Sequence, residues 1–182
     1  IMAKAVIDET IPSKFAIYDL NQFLGVVSLF KQPEFDIKDQ HVVIKNGNGH
    51  SSNYFFADES MIDSPPSKEF DIDPVVDVEI KDEEMKSVIQ AARVMSLPHV
   101  TIESQGKKIL FKACNIMDAG SNTYELTVGE TDKSFRFVFS VENLRFIPGK
   151  YTLHISKEGV AHFTSGRVEY FVATEHESSY DG

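Results

Sequence analysis

The chain repeats itself, and that narrows its fold more than any other feature. FAIYDLNQFL at 15–24 recurs as FVFSVENLRF, with Asp19 over Ser140 at an offset of 121; YFFADE at 54–59 recurs as YFVATE at 170–175, at an offset of 116. Both halves keep the order strand, capped short helix, three strands, which marks a module copied in tandem. The second copy opens near Val75, so the first is expected to begin about 40 residues before position 1, as in a chain truncated at its N-terminus.

Taken in order, IMAKAVIDETIPSKFAIYD alternates as extended structure with a break at Pro12. Asp19 is placed to cap a short helix in which Leu20, Phe23, Leu24 and Val27 recur at helical spacing. Strands are expected over 35–38, 41–45 and 54–57. Three prolines, much acid and no apolar period then mark 58–74 as a connector. Beyond it come a strand VVDVEI, an amphipathic helix over 82–97 stopped by Pro98, four strands, a second short helix VENLRFI capped by Ser140, and three last strands. The expected division is a first unit over 1–60, a connector over 61–74 and a second unit over 75–182. The fold class is α+β: antiparallel sheets with helices on one face.

The formal net charge of −10 argues against a nucleic-acid partner until it is located. The stretch 58–84 holds eleven acids against Lys68 and Lys81 and so carries −9 of it, leaving the other faces near neutral. The single cysteine, Cys114, cannot form an internal disulfide and suits a reducing compartment. The longest apolar run, FLGVVSLF, is far short of the roughly 18 residues of a membrane span, so no membrane partner is expected.

On the long helix, Met85, Val88, Ile89 and Ala92 share one side, while Lys86, Gln90 and Arg93 share the other. Lys86 and Arg93 are two turns apart, about 10 Å along the axis, a span that lets both reach phosphates across a groove. Arg145 on the second short helix is a further cation, with Lys150 just beyond. Contacts of this kind neutralise phosphate without sensing base sequence. An exposed lysine and arginine on a helix are ordinarily solubilising surface, and the pattern alone favours that reading over DNA contact.

Two tandem units of this make describe a sliding-clamp architecture. FAIYDLNQFLGVVSL, PGKYTLHISKEGVAHF and YFVATEHESSYDG resemble the DNA polymerase sliding clamps of T-even-type bacteriophages and their marine relatives, over nearly the whole chain from Met2 to Asp181. The long acidic connector and the short first unit depart from that pattern. The resemblance implies a non-enzymatic processivity factor without cofactor or metal, acting in the cytoplasm of an infected bacterium. It implies a homotrimeric ring closed head to tail around duplex DNA, opened by a clamp loader and tethering the polymerase by its C-terminal tail. The DNA-facing residues implied are Lys86, Gln90, Arg93, Arg145 and Lys150. The partner groove implied is Met61, Ile62, Pro65 and Pro66 with Phe171 and Ala173, although Phe171 serves equally well as core. The subunit edges implied are the strands over 53–58 and 122–128, with Tyr54, Phe56, Tyr124 and Leu126.

Other classes leave weaker traces. His154 and His162 fall on neighbouring strands but lack a third ligand. DIDPVVD does not follow a calcium loop, Gln105-Gly106-Lys107-Lys108 fits a hairpin turn better than a phosphate loop, and Cys114 has no activating base in sequence. A duplicated β-rich scaffold that binds peptides and never meets DNA is the main rival. It predicts Lys86, Arg93 and Arg145 scattered, where a clamp predicts them on one concave face.

Overall fold

A computed structural model describes residues 1–8, 10–62 and 72–182. The elements run β1 (Met2–Ala5), α1 (Leu20–Ser28), β2 (Glu34–Ile37), β3 (His41–Lys45), β4 (Ser51–Phe55), β5 (Pro74–Ile80), α2 (Asp82–Val94), β6 (His99–Gln105), β7 (Lys108–Cys114), β8 (Tyr124–Glu130), β9 (Phe135–Ser140), β10 (Tyr151–Ser156), β11 (Val160–Ser165), β12 (Val168–Ala173) and β13 (Ser179–Tyr180). Two compact units result, one of Asp8–Lys68, the other of Ile1–Ile7 with Glu69–Gly182. No helix among the described residues is long and apolar enough to cross a membrane.

In the smaller unit β2, β3 and β4 form an antiparallel sheet in that order, with Val42 and Ile44 buried. Asp19 caps α1 as its position demands, its carboxylate accepting from the Gln22 amide at 2.9 Å. The apolar stripe of α1 is not a core stripe, however: no residue of α1 is buried, and Leu20 and Leu24 are more than half exposed. Phe23 meets Tyr54 edge-on at 5.1 Å, and the Tyr54 hydroxyl donates to the Asp19 carbonyl.

The larger unit is built on period-2 alternation. Along β5, Val76, Val78 and Ile80 turn inward while Asp77 and Glu79 turn out; along β10, Tyr151, Leu153 and Ile155 turn inward while His154 does not. Two five-stranded antiparallel sheets, β1-β12-β11-β10-β5 and β13-β9-β6-β7-β8, supply one core together with Met85, Val88, Ile89 and Ala92 of α2. Full burial of Ile80, Leu153 and Ile155 contributes about 2 kcal/mol each. Though β1 precedes the first copy's helix in the chain, it is the last strand of this unit's sheet, pairing Met2 with Phe171 and Lys4 with Glu169.

Two helix expectations are corrected. The long helix does not reach Leu97. It ends at Val94, where Ser96 takes the left-handed conformation (φ 53°), its amide donating to the Arg93 carbonyl and the Leu97 amide to the Ala92 carbonyl. Those two bonds close a Schellman motif, and Leu97 is buried by it. The second short helix is a single 3-10 turn, Val141–Asn143, and Ser140 makes no side-chain cap. Leu144 is buried and Phe146 packs on the same core, with Arg145 exposed between them; inward residues at i and i+2 do not fit a helix, which would turn them apart, and Leu144 (φ −106°, ψ 35°) has left the helical conformation.

Ser96 carries the steric cost of a Cβ in the left-handed region. Ser96→Gly is expected to raise unfolding free energy by about 0.5–1 kcal/mol in urea denaturation, the relieved strain exceeding glycine's extra chain entropy. A lower midpoint would mean that Ser96 makes a contact worth more than its strain.

Candidate functional site

The solvent side of α2 and the segment that follows the 3-10 turn enclose a depression of about 350 Å³. Its rim carries Lys86, Gln90, Arg93 and Arg145; its floor includes Met85, Ile89, Leu144 and Phe146. Residues more than fifty positions apart in the chain thus share one concave surface, as the clamp expectation requires and the scaffold alternative does not.

Each side chain has a local reason for its place. The helical period that buries Met85, Val88, Ile89 and Ala92 turns Lys86, Gln90 and Arg93 outward. Three acids in the first turn and Arg93 in the last suit the helix dipole, and the Glu84 carboxylate accepts from the Lys81 amide at 2.8 Å to close the N-terminus. Arg145 is exposed between inward Leu144 and Phe146. That segment is pinned: Phe146 stacks on Tyr170 at 4.2 Å and meets Phe163 edge-on at 4.8 Å. The Tyr151 hydroxyl donates to the Ile147 carbonyl at 2.6 Å, and the Ile147 amide donates to the Tyr170 hydroxyl at 3.1 Å. Burial, with Tyr170 beside it, pushes the Tyr151 phenol up to about 12, so it remains a donor at any working pH.

The cations differ in their company. Lys86 is ion-paired with Asp82 one turn back, and Lys150, outside the depression, holds Glu79 of β5 at 2.6 Å. Among the described residues Arg93 and Arg145 have no ion-pair partner. Asp82 and Glu79 were not singled out in sequence. The i,i+4 spacing of Asp82 and Lys86 was a usable signal. Nothing local announces Glu79, which reaches Lys150 only through the register of β5 on β10.

The other expected residues lie elsewhere. Phe171 is buried, yet it is not part of the main core: it faces the opposite side of β12, stacked on His162 at 4.2 Å with the Lys4 ammonium 5.4 Å from its ring centre. Ala173 is exposed two residues on. Met61, 62% exposed, and half-buried Ile62 belong to the smaller unit, and Pro65 and Pro66 lie outside the described residues. Tyr124 and Leu126 lie on β8, the last strand of its sheet; Tyr54 lies on β4, last of its own, and Phe56 just beyond it stacks on Phe15 at 4.8 Å.

His154 and His162 are cross-strand neighbours, each against a carboxylate, Asp77 at 2.5 Å and Glu169 at 2.6 Å. No group of residues suited to hold a metal occurs among the described residues. Cys114 is buried, and burial raises its thiol pKa, the opposite of activation.

A family model described as "gp45 sliding clamp, C terminal" matches residues 77–176. Similar sequences include the sliding clamps of Vibrio phage KVP40 (28% identical, 96% of this chain and 82% of that protein), Enterobacteria phage T4 (29%, 98% and 82%) and Escherichia phage RB69 (30%, 98% and 82%). Similar structures include the A. fulgidus PCNA to which the C-terminal region of FEN-1 is bound (TM-score 0.63, 19% identical, 88% of this chain and 72% of that one). A putative DNA polymerase III beta subunit from Eubacterium rectale is similar too (TM-score 0.68, 14% identical, 96% and 50%). At these identities the structural likeness is one of fold.

Because the Tyr151 phenol is raised in the fold, its contribution to stability is complete below pH 10, the ordinary tyrosine value, and is lost as pH rises through about 12. Tyr151→Phe is expected to cost about 1 kcal/mol at neutral pH and to flatten that alkaline decline. Equilibrium unfolding from pH 7 to pH 12 measures both; an unchanged alkaline slope would assign the decline to other groups.

Proposed function

The chain belongs to the gp45 sliding-clamp family, processivity factors of DNA replication that are not enzymes, and from that premise we propose how its parts carry out the task. Lys86, Gln90, Arg93 and Arg145, with Lys150 beside them, face duplex DNA and contact its phosphates without base discrimination. Their convergence on one depression from α2 and the 144–148 segment is the observation that carries this reading. A surface that senses only phosphate lets the protein move along the duplex without preferred stopping points. Topological linkage, not tight contact, then keeps the polymerase at high effective concentration.

Linkage requires a closed ring, and we propose a head-to-tail homotrimer. Support comes from within the chain: β1, which in the repeat corresponds to β8, pairs with β12, which corresponds to β4. Shifting that pairing by the repeat offsets sets β8 of one copy antiparallel to β4 of the next. Tyr124 then lies opposite Tyr54, Glu125 opposite Asn53 and Leu126 opposite Ser52. Both strands end their sheets among the described residues, and such edges recruit further strands. Exposed apolar side chains stand near each: Val94 and Tyr124 beside β8, Leu20 and Leu24 on the helix that packs against β4.

The remaining assignments extend the family premise. The two clamp modules are 1–60 and 75–182, joined by 61–74. The residues assigned to the polymerase C-terminal tail are Phe171 and Ala173 on β12, with Met61, Ile62 and Pro65 near the start of the connector, and the acidic belt around the connector steers basic partner segments. A clamp loader opens the ring, in the cytoplasm of the infected host.

The Lys86→Glu, Arg93→Glu double variant is expected to lower duplex affinity and to reduce the slope of log K against log salt by about 0.9 for each phosphate no longer neutralised, as measured by fluorescence anisotropy. An unchanged slope would remove α2 from the DNA-facing surface. For the ring, Asn53→Cys with Glu125→Cys is expected to give, on mild oxidation, covalent oligomers ending at a trimer, with neither single variant doing so. Cross-linking at no pair of that register would sink the proposed edge pairing.

A further inference from the structure

The depression holds its own opposition to DNA. Lys86 is ion-paired with Asp82, and Asp82 is not an ordinary surface acid: Oδ2 takes the ammonium while Oδ1 is buried with no hydrogen-bond partner. Drawing Lys86 away would leave that part-buried carboxylate with the helix N-terminus but no ion-pair partner, which is costlier than breaking a fully exposed pair. A second pair, Lys150 on Glu79 at 2.6 Å, is more exposed, both side chains being more than half open to solvent. Arg93 and Arg145 carry no such restraint among the described residues. The cations that line or border the depression are therefore of two kinds, two held by the protein's own acids and two not.

We propose that Asp82 is a positioning residue that tethers Lys86 and so weakens the grip of the depression on DNA, with Glu79 doing the same to Lys150. This rests on the reading that the depression faces the duplex. A phosphate that captures Lys86 must displace Asp82, which then gathers a solvent cation in place of the lysine. The counterion released from the duplex is offset by one taken up on the protein, so Lys86 adds almost nothing to affinity or salt dependence while Asp82 is ionised. Arg93 and Arg145 supply the steady attraction, and the tethered lysines are exchanged between acid and phosphate as the duplex moves. A ring that must stay loose gains from this arrangement; a protein selected for tight binding would lose by it.

The test is duplex affinity against salt, on a short mixed-sequence duplex followed by anisotropy. Asp82→Asn is expected to tighten binding about threefold at low salt and to steepen the salt slope by about 0.9, one more phosphate neutralised. The gain is expected to vanish in a Lys86→Met background. Glu83→Gln removes the same charge from the same turn without releasing a lysine, and sets the size of the general charge effect. Glu79→Gln, alone and with Lys150→Met, repeats the comparison away from the helix N-terminus, so a folding defect in Asp82→Asn does not decide the matter. If Asp82→Asn gains no more than Glu83→Gln, or keeps its gain without Lys86, and Glu79→Gln behaves likewise, the tether is wrong. Arg93→Glu separates the two levels. Should it leave binding unchanged, the depression does not face DNA at all; should it weaken binding while the tether variants fail, only the tether falls.

Discussion

Strict alternation of inward and outward side chains is the constraint on which the rest of the larger unit depends. It places Val76, Val78 and Ile80 of β5 in the core and, by the same step, Glu79 on the outside where Lys150 meets it. It acts once more outside any strand: Leu144 and Phe146 turn inward, and Arg145 between them is left to face the depression. Core and charged surface are thus two results of a single period, and neither can be shifted by one residue without exchanging them. The packing of Phe146 against Phe163 and Tyr170, and the two tyrosine hydrogen bonds at Ile147, hold that period where no strand ladder does.

Charge follows the same logic of place over sum. An overall −10 is compatible with a phosphate-facing surface because the acid is concentrated in 58–84. At the depression Asp82 is ion-paired with Lys86, and beyond it Glu79 is paired with Lys150. Weak, sequence-blind attraction is what a topologically linked protein requires, because its residence on DNA is set by closure and not by contact.

Closure depends on edges. Most proteins blunt the last strand of a sheet to prevent association. Here β8 begins at exposed Tyr124, and β4 carries Phe55 at 66% exposed. A heterologous pairing of two different edges builds a ring when its rotation closes and a filament when it does not. Within one chain β1 and β12 pair antiparallel, and the proposed pairing of β8 with β4 is that register carried over by the repeat offsets.

By itself the sequence determined the duplication, the strand alternation, the Asp19 cap and the inner face of α2, because these depend on residues near one another and on periods that local sterics impose. It also placed Lys86, Gln90 and Arg93 together, since one helical face holds all three. It misjudged the segment after Ser140, where capping and spacing argued for a helix; the demand of the core for both Leu144 and Phe146 overrode local preference. Only the tertiary structure decided that Arg145 joins the α2 cations, that Lys150 is held by Glu79, and that buried Phe171 lies under His162 and not in the main core. Those outcomes are set by strand register and by which sheet face a residue occupies, quantities fixed by contacts between distant parts of the chain and absent from any local window.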